Sequence, residues 1–161
     1  MRVLIPDVIT KEEADWLIQG GSIRSHRFNN DIVKKVVARI QETLPVVVGK
    51  PSYWSVERKP DGHIPHYDGC RPDPEGGFKP NHMPWCQYSS VVLLSDPSSF
   101  DGGVFSFFDP DEDHKEDLYL SLLLYSSGAG NSPQKHQASA HKDGDRHVLL
   151  MFFATEASRE L

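Results

Sequence analysis

YSSVVLLSDPSSFDGGVFSF, from Tyr88 to Phe107, contains two β-rich runs, over 88–94 and 103–108, separated by Asp, Pro, Ser and Gly residues that interrupt an extended chain. Val91, Val92, Leu93 and Leu94 are consecutive and apolar, and residues 120–124 are nearly so. Such runs suit strands covered on both faces. Further β-rich runs lie at 52–57, 64–67, 118–125 and 146–153, each bounded by turn residues. No helical periodicity lies between them. Parallel strands joined by helices are therefore disfavoured, and the spacing predicts an antiparallel jelly roll, a double-stranded β-helix barrel.

The first third of the chain carries a different period. Thr10 and Glu13 form a capping-box pattern that opens a helix over 11–19, with Gly20 and Gly21 as its stop. Ile32, Val33, Val36, Val37, Ile40 and Leu44 recur at helical spacing and predict a second helix over about 31–44, ended by Pro45. One apolar stripe per helix needs a partner, and the outside of a β-sheet offers one. The expected architecture is a single α+β, mainly β, domain over 1–161, with helical support over 1–50 and the jelly-roll core over 51–155.

Composition narrows the function classes. A formal charge of -6 in 161 residues argues against nucleic-acid and anionic-membrane partners, which call for a basic footprint, and the short basic run over 24–27 does not overturn this. No stretch approaches the roughly 20 apolar residues of a membrane span, and the first residues lack a signal-peptide apolar region, so the expected location is cytoplasmic. In that compartment Cys70 and Cys86 are expected as thiols, although they flank a proline-rich loop that a bridge could clip.

The residues with metal chemistry stand in the β region. His66 and Asp68 lie two apart at a strand end, so both side chains project to one face and can grip one ion. A later histidine would complete two imidazoles and a carboxylate on one face of a non-haem Fe(II), leaving the opposite positions open. The segments HIPHYDGCRPDPE (63–75), YSSVVLLSDPSSFDGGVFSF and HQASAHKDGDRHVLLMFF (136–153) together resemble the prolyl-hydroxylase-like branch of the Fe(II)/2-oxoglutarate oxygenases. Within it, the prolyl 3-hydroxylase (leprecan-like) catalytic domains look most similar, through the cysteine and acidic, proline-containing loop that follow the HxD. The resemblance covers about 52–153.

It implies His66, Asp68 and His136 as iron ligands and catalytic centre, Arg146 as the residue that binds the far carboxylate of 2-oxoglutarate, and Tyr88 as a hydroxyl donor to that co-substrate. It further implies Fe(II) and 2-oxoglutarate as cofactor and co-substrate, ascorbate as reductant, and hydroxylation of a prolyl residue, free amino acid or similar small substrate with release of succinate and carbon dioxide. Chemistry agrees for Arg146, because a planar guanidinium binds a carboxylate through two charge-assisted hydrogen bonds. Period-2 alternation sets Arg146, Val148, Leu150 and Phe152 on one face, in the barrel interior, and turns His147 away. Gly102 and Gly103 signal a close backbone approach or a tight turn before a strand.

Blander readings exist for each residue. Tyr88 could be an amphipathic core residue, His26 and His114 solvated, and the acidic segment 109–117 a solvated loop. The alternative for the whole chain is a catalytically inactive jelly roll that binds a peptide or metabolite.

Overall fold

The computed structural model describes residues 1–20, 29–47 and 51–161 and the backbone of 23–25. Gly21, expected to share in stopping the first helix, and the side chains of the basic run 24–27 lie outside them. The elements in chain order are β1 (Arg2–Ile5), α1 (Lys11–Gln19), β2 (Ile23–Ser25), α2 (Asp31–Thr43), β3 (Tyr53–Glu57), β4 (His63–His66), β5 (Cys70–Pro72) and β6 (Phe78–Pro80). They continue with β7 (Tyr88–Leu93), β8 (Asp101–Gly102), β9 (Phe105–Phe107), β10 (Glu112–His114), β11 (Leu122–Ser126), β12 (His136–Ala138), β13 (His141–Lys142) and β14 (Val148–Phe153).

Six strands form one antiparallel sheet in the order β1-β11-β7-β14-β3-β2, and four form a second in the order β10-β9-β12-β4. This is the expected jelly roll. Val91, Leu93, Leu123, Tyr125 and Val148 of the large sheet meet Phe105 and Phe107 of the small one, filling the space between sheets. On the other face of the large sheet, Val92, Leu94, Leu122, Leu124, Leu149 and Met151 pack against Ala14, Leu17, Val33, Val36, Val37 and Ile40 of the helices. The continuous apolar runs are thus covered on both sides, as their composition demands.

Both helices form where the pattern places them. The Thr10 side chain accepts from the Glu13 amide while Glu13 accepts from the Thr10 amide, so two orphan donors at the start of α1 are satisfied. Asn30 caps α2 by accepting from Ile32 and Val33. No helix among the described residues is long and apolar enough to cross a membrane.

Several elements escape the sequence pattern. β1 is a strand inside the region expected to be helical. It pairs with β11, and Arg2 Nε donates to Gln134 Oε1 at 2.7 Å while its NH2 donates to the Phe108 carbonyl at 2.7 Å. Its partners lie more than a hundred residues away, so no local signal marks it. The strand expected over 118–125 starts only at Leu122, because Glu116–Leu118 forms a 3-10 turn and Leu120 takes a φ of 59°. His114, expected to be solvated, is buried in β10 between the carboxylates of Asp117 and Glu112.

Cys70 and Cys86 are free and buried. Burial, reinforced by the charge of Asp68, raises the Cys70 thiol to about 11 and the Cys86 thiol to about 12. At pH 8 only about one Cys70 in a thousand carries the reactive thiolate. A thiol titration of the native protein at that pH should therefore proceed slowly, with both cysteines reacting at once in denaturant; fast native labelling of either would contradict its burial.

Candidate metal centre

β4 and β12 are antiparallel neighbours in the small sheet, and their register sets His136 directly opposite His66. The two rings lie 4.3 Å apart between centroids. Asp68, two residues beyond His66 and just past the end of β4, turns its carboxylate into the same space. Its Oδ1 is 3.2 Å from His66 Nε2 and 3.4 Å from His136 Nε2. The one ligand atom that each of the three residues offers lies within 4.8 Å of the others. Two donors about 2.1 Å from one ion and at right angles are about 3 Å apart, so this spacing fits a single octahedral ion.

Hydrogen bonds select the nitrogen that each histidine presents. His66 Nδ1 is 2.7 Å from the carbonyl of Ile64, and His136 Nδ1 is 2.9 Å from the carbonyl of Gln134. A carbonyl only accepts, so each Nδ1 carries a hydrogen and each Nε2 is turned to the centre, where it donates to Asp68 when protonated and offers its lone pair to a metal ion when it is not. Burial disfavours ionised Asp68, but the charge of His136 and hydrogen bonds from both imidazoles outweigh it and hold the carboxyl below the usual range. Burial likewise disfavours protonated His136, and Asp68 prevails, raising it above the ordinary histidine value. The anionic field that draws a proton to His136 is equally available to a metal cation in its place.

The three ligands line a cavity of about 370 Å³ between the sheets, together with Arg146, Val148, Leu150 and Phe152. The strand expected from Arg146 starts only at Val148, and Arg146 reaches the cavity from the segment just before β14. Arg146 is buried, its Nε has no hydrogen-bond partner, and burial pushes its pKa down to about 10. An arginine in this state is a cation awaiting an anion. Its backbone N–H donates to His141 Nε2 at 3.2 Å, so His141 helps anchor the chain that carries it.

The glycine pair provides the space. A Cβ on Gly103 would stand 2.7 Å from Arg146 Cδ, and one on Gly102 would stand 2.3 Å from the carbonyl oxygen of Ala140. The orphaned guanidinium nitrogen, the glycine cradle beneath it and the nitrogen–oxygen donor set together fit a hard cation with a carboxylate ligand bound alongside.

Tyr88 is not brought to this site. It packs with the cluster beneath the helices, sharing a face with Val92 and Leu94, while Val91 of the same strand lines the cavity. Two tyrosines line the cavity, Tyr67 and Tyr125, and Tyr125, at the end of the run expected over 118–125, is not among the expected site residues. It is buried on β11, and its hydroxyl is 3.1 Å from Asp68 Oδ2 and 3.3 Å from His136 Nε2. The available signal was a phenol inside an otherwise apolar run, since a buried hydroxyl usually has a partner. Glu57, Asn81, His82 and Met83 also line the cavity, and an edge contact between Tyr67 and Phe78, 4.9 Å between centroids, ties the β5–β6 hairpin to the HxD segment.

No family model and no curated protein matches this sequence. Solved structures do match its fold. A viral collagen prolyl hydroxylase from Paramecium Bursaria Chlorella virus-1, in its 2OG complex, superposes with a TM-score of 0.71 at 16% identity over 96% of each chain. A Pseudomonas putida prolyl-4-hydroxylase gives 0.67 at 12% identity over 96% of this chain and 92% of its own. A Trichoplax adhaerens prolyl hydroxylase, in complex with a hypoxia inducible factor oxygen degradation domain peptide fragment, gives 0.64 at 12% identity over 99% and 86%. At these identities the likeness shows a shared jelly-roll fold.

Proposed function

We propose that this protein is an Fe(II)- and 2-oxoglutarate-dependent oxygenase that hydroxylates an unactivated C–H bond, with a prolyl residue of a peptide as its substrate. The observation that carries the proposal is the cross-strand pairing of His136 with His66 beside Asp68, in a cavity that also contains the Arg146 guanidinium with its Nε unpartnered. When bound, iron and 2-oxoglutarate would supply the oxidant, releasing succinate and carbon dioxide.

The chain's own residues do the rest. His66, Asp68 and His136 would hold the ion on one face and leave the other open. Arg146 would bind the distal carboxylate of 2-oxoglutarate, in a wall whose apolar side chains from Val148, Leu150 and Phe152 keep water away and leave the ion pair poorly screened. The volume falls low in the usual range for small-molecule sites, roughly 300–1,000 Å³, and suits a co-substrate plus one inserted side chain rather than a bulky metabolite. A peptide substrate is favoured by the neighbour solved with a peptide fragment and by a cavity lining that includes the exposed residues His63 and His82. The motif likeness to prolyl 3-hydroxylases extends the proposal to attack at ring carbon C3.

Anaerobic addition of Fe(II) followed by 2-oxoglutarate should produce the visible charge-transfer band of the chelate. Iron uptake without that band would defeat the oxygenase reading and leave the binding-module alternative ahead. Succinate release with prolyl peptides then tests the substrate. A 4-hydroxyproline product would overturn the C3 assignment alone.

A further inference from the structure

Asp68 divides its two oxygens between different partners. Oδ1 faces both Nε2 atoms, at 3.2 Å from His66 and 3.4 Å from His136, and is the oxygen placed to ligate the ion. Oδ2 accepts a hydrogen bond from the Tyr125 hydroxyl at 3.1 Å. We infer that Tyr125 is a positioning residue that makes Asp68 a one-oxygen ligand and so keeps three coordination positions open for co-substrate and dioxygen. The inference rests on the oxygenase reading and names a residue that the HxD…H pattern does not contain.

The coordination arithmetic makes this division matter. An octahedral ion held by two imidazoles and one carboxylate oxygen has three positions left. A two-point 2-oxoglutarate chelate uses two and dioxygen needs the third. A carboxylate released to chelate through both oxygens would take one of them. Flexible carboxylates bind metals in either mode, so something must decide between them. A hydrogen bond to the second oxygen does so, because turning that oxygen to the ion would carry it away from the phenol and weaken the bond between them.

The phenol is itself held rigidly. Its ring packs against Phe107 at 5.3 Å, Phe105 at 5.9 Å and His136 at 4.8 Å between centroids, in the dry space between the sheets. Its hydroxyl also lies 3.3 Å from His136 Nε2, but a metal ion on that nitrogen occupies its lone pair and leaves Asp68 Oδ2 as the acceptor.

The test uses Co(II), whose visible spectrum reports coordination and which does not turn over. Wild type and Tyr125→Phe are loaded with Co(II) and titrated with 2-oxoglutarate. Tyr125→Phe should retain Co(II) within about threefold, show an altered Co(II) spectrum before 2-oxoglutarate is added, and bind 2-oxoglutarate at least about tenfold more weakly, the scale seen when a group supporting a ligand is lost. An unchanged spectrum with unchanged 2-oxoglutarate affinity would overturn the inference. So would loss of Co(II) itself, which would mean that the hydroxyl supports the ion and does not apportion Asp68. Should wild type bind neither Co(II) nor 2-oxoglutarate, the oxygenase reading fails first and this inference with it. Because Tyr125→Phe alters a buried residue, a crystal structure of wild type with Mn(II) gives a second reading: Asp68 ligating through Oδ1 with Oδ2 on Tyr125 supports the role, and two-oxygen ligation ends it.

Discussion

Arg146→Ala protein should take up Fe(II) as wild type does and yet bind 2-oxoglutarate about a hundredfold more weakly or worse, the scale of losing one partner of a buried, hydrogen-bonded charge pair. Arg146 is the cavity cation with a free hydrogen-bonding nitrogen, and it is absent from the group of candidate metal ligands. Its removal therefore leaves the ion's donors intact while stranding the distal carboxylate in a space lined by Val148, Leu150 and Phe152. The effect should exceed ordinary Coulomb loss because the carboxylate would enter that space desolvated and unpaired. Separate titrations of Fe(II) alone and of 2-oxoglutarate onto the iron-loaded protein measure the two affinities. Equal weakening of both would show that Arg146 shapes the metal centre and is not the co-substrate's anchor. Arg146→Lys should recover only part of the affinity, since an ammonium restores charge without the planar fork.

Asp68→Ala should nearly abolish metal binding, by more than the roughly 10–100-fold that follows loss of a group merely supporting a ligand. Asp68 supplies the only carboxylate of the three-residue group and, through Oδ1, the atom that both imidazoles face. Two neutral imidazoles alone would hold Fe(II) without charge compensation. The fold should survive, because His136 keeps its bond to the Gln134 carbonyl and its packing on Phe105, and circular dichroism can check this independently. Iron affinity within about threefold of wild type would mean that the ion sits elsewhere.

The reasons that some of this was legible along the chain and some was not are local and specific. Alternation predicted one face for Arg146, Val148, Leu150 and Phe152, and the cavity contains all four, with Arg146 just ahead of β14 and the other three on it. It worked there because Arg146 breaks the symmetry of an apolar run. Over 88–94 no such marker exists: both faces are apolar because both are buried, so the sequence could not say which parity faces inward, and Tyr88 lies on the helix side. The HxD spacing is likewise local, and the structure keeps His66 and Asp68 on one side. The glycine pair signalled a close approach or a tight turn without saying to what; the neighbours proved to be the Ala140 carbonyl for Gly102 and the side chains of Arg146 and Phe100 for Gly103.

From the residues by themselves came the element types, the capping of α1 and the chemical nature of each candidate ligand, because periodicity, caps and side-chain chemistry act over a few neighbours. Only the tertiary structure decided that His136 stands opposite His66, that β1 closes the large sheet and that Tyr125 reaches Asp68 Oδ2. These depend on strand register between segments far apart in the chain. Register follows from how two sheets bury their shared core, a property of the assembled molecule that no short stretch contains.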